Sequence, residues 1–195
     1  MLGQLYPVTP RAALRQTEIL FNTGPTTVIW ETKEFPVEPS YPSRLLFSVN
    51  ERALVVVLAQ YWPGMGYRGW QSNYETVARC GGEGSLHAGL LRADGACYLF
   101  GRVDDHAAMT LRVRLGGWVK EAWAPGYPFE PPEVWKTFKT LDIPRTQWFH
   151  AQEGTYFIQL VLTEDEAPVN RFVEAQVELL DGEGRVLAQS GSLKD

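Results

Sequence analysis

Cysteine, histidine, long apolar runs and clustered basic charge are all scarce in this chain, and each scarcity removes a class of protein. Two cysteines, Cys80 and Cys97, are too few for a disulfide-framed scaffold, and neither stands in a C-x-x-C or beside a histidine at metal-ligand spacing. They read either as two buried or free thiols or as one bridge between neighbouring strands. Three histidines leave few candidate general bases. The longest clean apolar run, Ala53 to Ala59, falls far short of the roughly 18 residues of a membrane-crossing helix. Acidic residues (23) outnumber basic ones (18), net charge −5, and no basic stretch could track a phosphate backbone, which argues against a nucleic-acid partner. G-x-S-x-G, the phosphate-binding loop G-x-x-x-x-G-K-[ST], a G-x-G-x-x-G opening a helix and H-E-x-x-H are all missing. No catalytic residue, metal or cofactor is therefore assigned.

What the chain has in quantity is aromatic and turn-forming side chains: seven Trp, eight Tyr and nine Phe among 18 Gly and 13 Pro in 195 residues. With 45% hydrophobic residues it has the material for a core, which excludes a disordered tail, and the length suits one domain or two small ones. The first residues are broken by Pro7 and Pro10, unlike the continuous apolar segment of a secretory signal. The expected location is the cytoplasm, or outside it and envelope-anchored if a leader has been removed.

Thr9-Pro10 followed by good helix formers predicts a helix to about Asn22, stopped by Gly24-Pro25, although consecutive Ile19, Leu20 and Phe21 also suit a strand. Beyond it lie short β-branched and aromatic runs: 26–32, 44–49, 52–61, 75–80, 85–91 and 97–103. Ala53 to Ala59 is apolar on both faces and reads as a strand covered on both sides. Asn50-Glu51 and Asp94-Gly95 read as hairpin turns. Leu111, Val113 and Leu115 alternate with Thr110, Arg112 and Arg114, the pattern of a half-exposed strand. Its hairpin partner is expected at Trp118 to Trp123, after a Gly116-Gly117 turn. The proline-rich segment 125–153 reads as irregular, with a short helix over 132–140, and alternating strands follow at 155–163, 171–180 and 185–189. The fold class is thus mainly β (α+β): an N-terminal helix plus antiparallel sheet over 1–94, then a β-sandwich-like unit over 95–195, packed as one compact body.

Chemistry-bearing residues are sparse. Asp104-Asp105-His106 is the densest metal-capable set, yet suits an Asx turn better than a metal site. Ser85 and His87 share one face of a strand, with no carboxylate identifiable to orient the imidazole. His150 reads as a partly buried ring among aromatics. Glu121, Glu130, Glu133, Asp142, Glu153, Glu164, Asp165 and Glu166 include no spacing that selects a glycosidase pair, and 164–166 reads as a solvated hairpin tip. The most suggestive segment is Trp62-Pro-Gly-Met-Gly-Tyr-Arg-Gly-Trp70. There Trp62, Tyr67 and Trp70 either present flat rings to a ligand or fold back over the end of the core. Trp118, Trp123, Trp135 and Trp148 are expected in the core.

Gly101-Arg-Val-Asp-Asp105 after Tyr98-Leu-Phe, the alternating 109–115 strand, Thr155-Tyr-Phe-Ile-Gln-Leu160 and Val177-Glu-Leu-Leu-Asp-Gly-Glu-Gly-Arg-Val-Leu187 carry a resemblance. The chain resembles a diffuse group of β-rich proteins and lipoproteins of Gram-positive, spore-forming bacteria. Their second half is a small β-sandwich, and their first half ends in a Gly-Trp loop, which Tyr67-Arg-Gly-Trp70 matches. The group has no assigned activity, so the resemblance implies an architecture and a place at the cell envelope. The expected function is a non-catalytic, envelope-associated binding module whose exposed aromatics meet a protein, peptide or carbohydrate. A hydrolase acting on cell-wall or carbohydrate material and a cytosolic scaffold are the alternatives.

Overall fold

In the computed structural model, which describes residues 8–35, 39–63, 68–80, 84–93, 95–120, 133–152, 154–166, 173–191 and 193–194, α1 (Pro10–Leu20) begins as its sequence dictates. The Thr9 hydroxyl accepts the Ala12 amide at 3.2 Å, and Pro10 occupies the first position, where no amide is required. Asn22 and Gly24, at φ 50° and 73°, turn the chain away. The segment 19–21 is the end of the helix and its cap, and Ile19 and Leu20 stay exposed.

The strands follow in chain order: β1 (Thr27–Thr32), β2 (Ser43–Val49), β3 (Ala53–Trp62), β4 (Gly69–Arg79), β5 (Leu86–Ala93), β6 (Ala96–Val103), β7 (Thr110–Lys120), β8 (Glu133–Pro144), β9 (Phe149–Ala151), β10 (Gly154–Leu162), β11 (Glu174–Leu180), β12 (Val186–Gln189) and β13 (Leu193–Lys194). They make three antiparallel sheets, ordered β1-β2-β3-β4, β5-β6-β10-β9 and β12-β11-β7-β8, with β13 also paired to β11. The fold is mainly β with one N-terminal helix among the described residues, and no helix there is long and apolar enough to cross a membrane.

Three apolar layers hold these elements together. Ala13 and Leu14 of α1 meet Leu46, Val55 and Val57 on the outer face of the first sheet. The alternate residues Phe47, Leu54, Val56 and Leu58 meet Tyr98, Phe100 and Tyr156 of the second sheet. That sheet's other face, with Leu99, Phe157 and Val161, meets Leu111, Val113, Leu115 and Val177 of the third. The order is helix, sheet, sheet, sheet, and β3 is buried on both sides, as its unbroken apolar run requires. Ala93 and Ala96 pair across the β5–β6 turn, where Gly95 takes φ +73°. A boundary at 94/95 therefore divides a hairpin, and the middle sheet draws strands from both halves.

Several expectations are corrected. Residues 133–144 form one twelve-residue strand, β8, not a helix over 132–140: Val134, Trp135, Thr137, Phe138, Thr140 and Ile143 favour a pleated strand, and β7 lies alongside to pair with it. Gly116-Gly117 is not a turn, because β7 continues through it, with a shift in its register against β8 between Leu115 and Gly116, and Trp118 pairs with Trp135 rather than folding back. The β2–β3 turn is one residue later than expected: the Asn50 amide donates to the Ala53 carbonyl, so Glu51 and Arg52 are its central residues. Cys80 and Cys97 are both buried and not bridged; Cys80 packs between the first and second sheets and Cys97 between the second and third, so a bridge is excluded by the intervening sheet.

Candidate functional site

Trp62, Tyr67 and Trp70 were expected to share a loop platform. Trp70 pairs with Tyr61 across β3 and β4, so Trp62, one residue on, points to the opposite face of the sheet. Trp70 packs on the helix layer, with its ring 5.8 Å edge-on from that of Tyr61. Trp62 is 37% exposed and its ring centroid lies 4.8 Å from that of Tyr41. Tyr67 lies outside the described residues, as does Trp123.

The strongest exposed aromatic feature lies instead on the third sheet. Pairing of β11 with β7 stops at Gly116, but β7 and β8 continue paired through Lys120 and Glu133 as a two-stranded ribbon. On it Trp118 and Trp135 are directly opposite, centroids 5.8 Å apart and planes at 75°. Trp118 is 52% exposed and Trp135 half-buried, where core positions were expected, and Trp148 packs against the core between the second and third sheets. Trp135 donates its indole N–H to the Thr137 hydroxyl at 3.0 Å.

Strand alternation places Trp118 on the same side of β7 as Arg114 and Arg112, away from Leu111, Val113 and Leu115. That side carries a polar row across β12, β11, β7 and β8: Gln189, Glu178, Arg112 and Asp142 are successive register partners. Arg112 binds Asp142 through Nε and Nη2 at 3.0 and 3.2 Å, and Arg114 grips both oxygens of Glu178 at 2.9 Å. Gln189 donates to Glu178 at 3.2 Å. This side of the sheet therefore carries two indoles, exposed at Trp118 and half-buried at Trp135, and beyond them paired polar groups of which Glu178 is buried and Asp142 and Gln189 are exposed.

A second feature is a cleft of about 810 Å³ at the edge of the first and second sheets, lined by Asn50, Glu51, Arg102, Gln152 and Tyr156. His87, Arg102, Tyr156 and Phe149 form one cross-strand row in the second sheet. Asp104 accepts the Arg102 Nε–H at 2.6 Å and its other oxygen lies 3.7 Å from His87 Nε2. The carboxylate that the sequence did not reveal beside His87 is thus Asp104, brought there because β5 and β6 are paired. Burial pushes the nearby Cys80 thiol up to about 11, which Arg102 opposes and Asp104 reinforces, so Cys80 stays protonated at neutral pH and is a poor nucleophile. Burial also raises Tyr156, against the lowering influence of Arg102, and its phenol keeps its proton.

The other candidates have structural duties. Asp105 accepts the Ala107 amide at 2.8 Å, the Asx turn anticipated for 104–106. Among the described residues no three His, Cys, Asp or Glu side chains converge as a metal would require. His150 is exposed rather than partly buried, because β9 is an edge strand, and its Nδ1 meets the Thr155 hydroxyl at 3.1 Å. Residues 164–166 form a short 3-10 turn; the hydrogen bond from Lys139 and the Thr163 amide hold the Glu166 carboxyl below its ordinary range. No protein family, curated protein or solved structure matches this chain.

Proposed function

We propose that the chain is a non-catalytic binding module that takes a polysaccharide on the outer face of its third sheet, in keeping with the envelope setting its sequence resemblance implies. The observation that supports this reading is the Trp118–Trp135 pair, exposed at Trp118 and half-buried at Trp135, on the same face of the sheet as the Gln189, Glu178, Arg112, Asp142 row and six residues along β7 from it. Sugar rings have apolar C–H faces that lie on indoles, and rims of hydroxyls that both donate and accept. The part-exposed Arg112, Arg114 and Asp142 retain N–H groups and lone pairs for such rims, and their pairing fixes them before a ligand arrives, which lowers the ordering cost of binding. Polysaccharide fits this face better than a globular protein partner, whose contact patch is depleted of charge at its centre.

Retention of the whole chain on insoluble, purified bacterial cell wall, with cellulose and chitin alongside, tests the reading. The expected result is retention on at least one of these that Trp118→Ala and Trp135→Ala each abolish while Trp62→Ala leaves it intact. No retention on any of the three polysaccharides, or retention indifferent to both ribbon tryptophans, overturns it.

A further inference from the structure

We infer that the cleft between the first and second sheets is a second site, separate from the aromatic face, that binds a small organic acid by its carboxylate through Arg102 and Tyr156. These residues are direct register partners on β6 and β10, so their side chains leave the same face of the second sheet side by side. The Arg102 guanidinium is anchored at one nitrogen, with Nε donating to Asp104 at 2.6 Å. Among the described residues neither its two Nη groups nor the Tyr156 hydroxyl has a hydrogen-bond partner. All three donors belong to residues that line the one cleft of about 810 Å³.

The surroundings make this a site rather than an incidental gap. Tyr156 is only 4% exposed, and its ring is pinned between Phe47 and Phe149 and laid over Gly154. Asp104 holds the guanidinium by its edge, which leaves the Nη groups as a planar pair of donors. Such a fork beside a phenol matches the two oxygens of a carboxylate. Asn50 lines the cleft but offers nothing to a ligand, because its carboxamide already makes four hydrogen bonds, to Thr23, Pro25, Arg52 and Ala53. Glu51 on the rim and Asp104 behind the guanidinium repel a doubly charged oxyanion such as phosphate. Glu51 and Gln152 instead suit a ligand that carries its own donor, so the acid is a hydroxy or amino acid.

Calorimetric titration of the whole chain with lactate, glutamate and inorganic phosphate tests the assignment. Lactate or glutamate is expected to bind saturably and more tightly than phosphate. Arg102→Lys, which keeps the charge and removes the fork, should weaken that binding by about tenfold. Tyr156→Phe, which keeps the ring over Gly154 and so the fold, should weaken it by about threefold. Trp118→Ala should leave it unchanged, which separates this site from the polysaccharide face. Absence of binding by both acids, tighter binding of phosphate, or carboxylate binding undiminished in Tyr156→Phe overturns the assignment, and the phenol variant decides it should Arg102→Lys fail to fold.

Discussion

The indole of Trp135 lies across Gly116 on the neighbouring strand, with Cζ2 2.6 Å from the place where a Cβ on residue 116 would stand and the Lys136 carbonyl oxygen 2.5 Å from it. The ring can rest there only because position 116 has no side chain. The second sheet repeats the device: Phe100 covers Gly89 and Phe157 covers Gly101, each ring directly opposite its glycine, while Tyr156 covers Gly154. A glycine weakens a strand by its flexibility and missing side chain, and an aromatic laid over it restores the lost packing. These pairs give four of the 18 glycines a reason to lie beside aromatics.

Gly116→Ala should therefore shift the β7–β8 pairing, since a backbone oxygen cannot swing aside as a side chain can. An overpacking cost of about 1–3 kcal/mol is expected, read as a lower urea midpoint. Displacement of Trp135 should also change tryptophan fluorescence and weaken polysaccharide retention. An alanine variant of native stability and retention would show that the indole does not need the glycine.

Glu18 is the buried pin of the helix. It is 4% exposed; Oε1 accepts the Thr26 amide at 2.7 Å and also the Thr26 hydroxyl, and Oε2 is paired with Arg15. Glu18→Ala leaves a buried amide on Thr26 without an acceptor and should destabilise by about 2–4 kcal/mol. Glu18→Gln keeps a carbonyl oxygen for Thr26 and should cost less than half as much. Equal losses in the two variants, measured by chemical denaturation, would mean that the Arg15 pairing and not the Thr26 bonds carries the effect.

Features decided by near neighbours were legible in the sequence. Thr9-Pro10 started the helix, Asp94-Gly95 marked a hairpin whose glycine takes positive φ, and Leu111, Val113 and Leu115 announced which side of β7 is core. What failed depended on the strand alongside. Pro131-Pro132 resembles a helix start unless one knows that β7 waits to pair with the next twelve residues, and Gly116-Gly117 resembles a turn unless Trp135 is seen lying over it. The polar row on the third sheet joins residues as distant as Arg112 and Gln189, and Asp104 reaches His87 only through β5–β6 pairing. Trp118 misled through that same assumed turn: with β7 continuous past Gly117, alternation sets Trp118 on the solvent side with Arg112 and Arg114.

Asn50 joins the turn after β2 to the loop that follows α1. Its Nδ2 donates to the carbonyls of Thr23 and Pro25, both at 3.0 Å, and its Oδ1 accepts from the amides of Arg52 and Ala53, both at 2.9 Å. Asn50→Asp is nearly isosteric, yet it sets a carboxylate oxygen against two carbonyl oxygens while keeping the turn's own bonds. The aspartate variant should lose about 2–3 kcal/mol, comparable to Asn50→Ala, because the lost donors and the new repulsion outweigh the retained acceptors. A variant as stable as the parent in thermal and urea unfolding would show that the link to 23–25 adds nothing to the fold.

Cys80 sets an alkaline limit to stability. Burial raises its pKa from 9.0 to about 11, so between those values the folded chain keeps a proton that the unfolded chain gives up. The unfolded state then binds fewer protons than the folded one, and stability falls as pH rises. Its contribution is intact below the unfolded value and is progressively lost as pH climbs through the folded one; Tyr156, raised by its own burial, acts in the same direction. The urea midpoint should thus hold steady up to about pH 8.5 and drop between about pH 9 and 11. Cys80→Ala should flatten part of that drop and combination with Tyr156→Phe more of it, at the cost of a small buried cavity that lowers both curves uniformly. Parallel declines in the parent and the alanine variant would show that the thiol is not the group whose ionisation limits the fold.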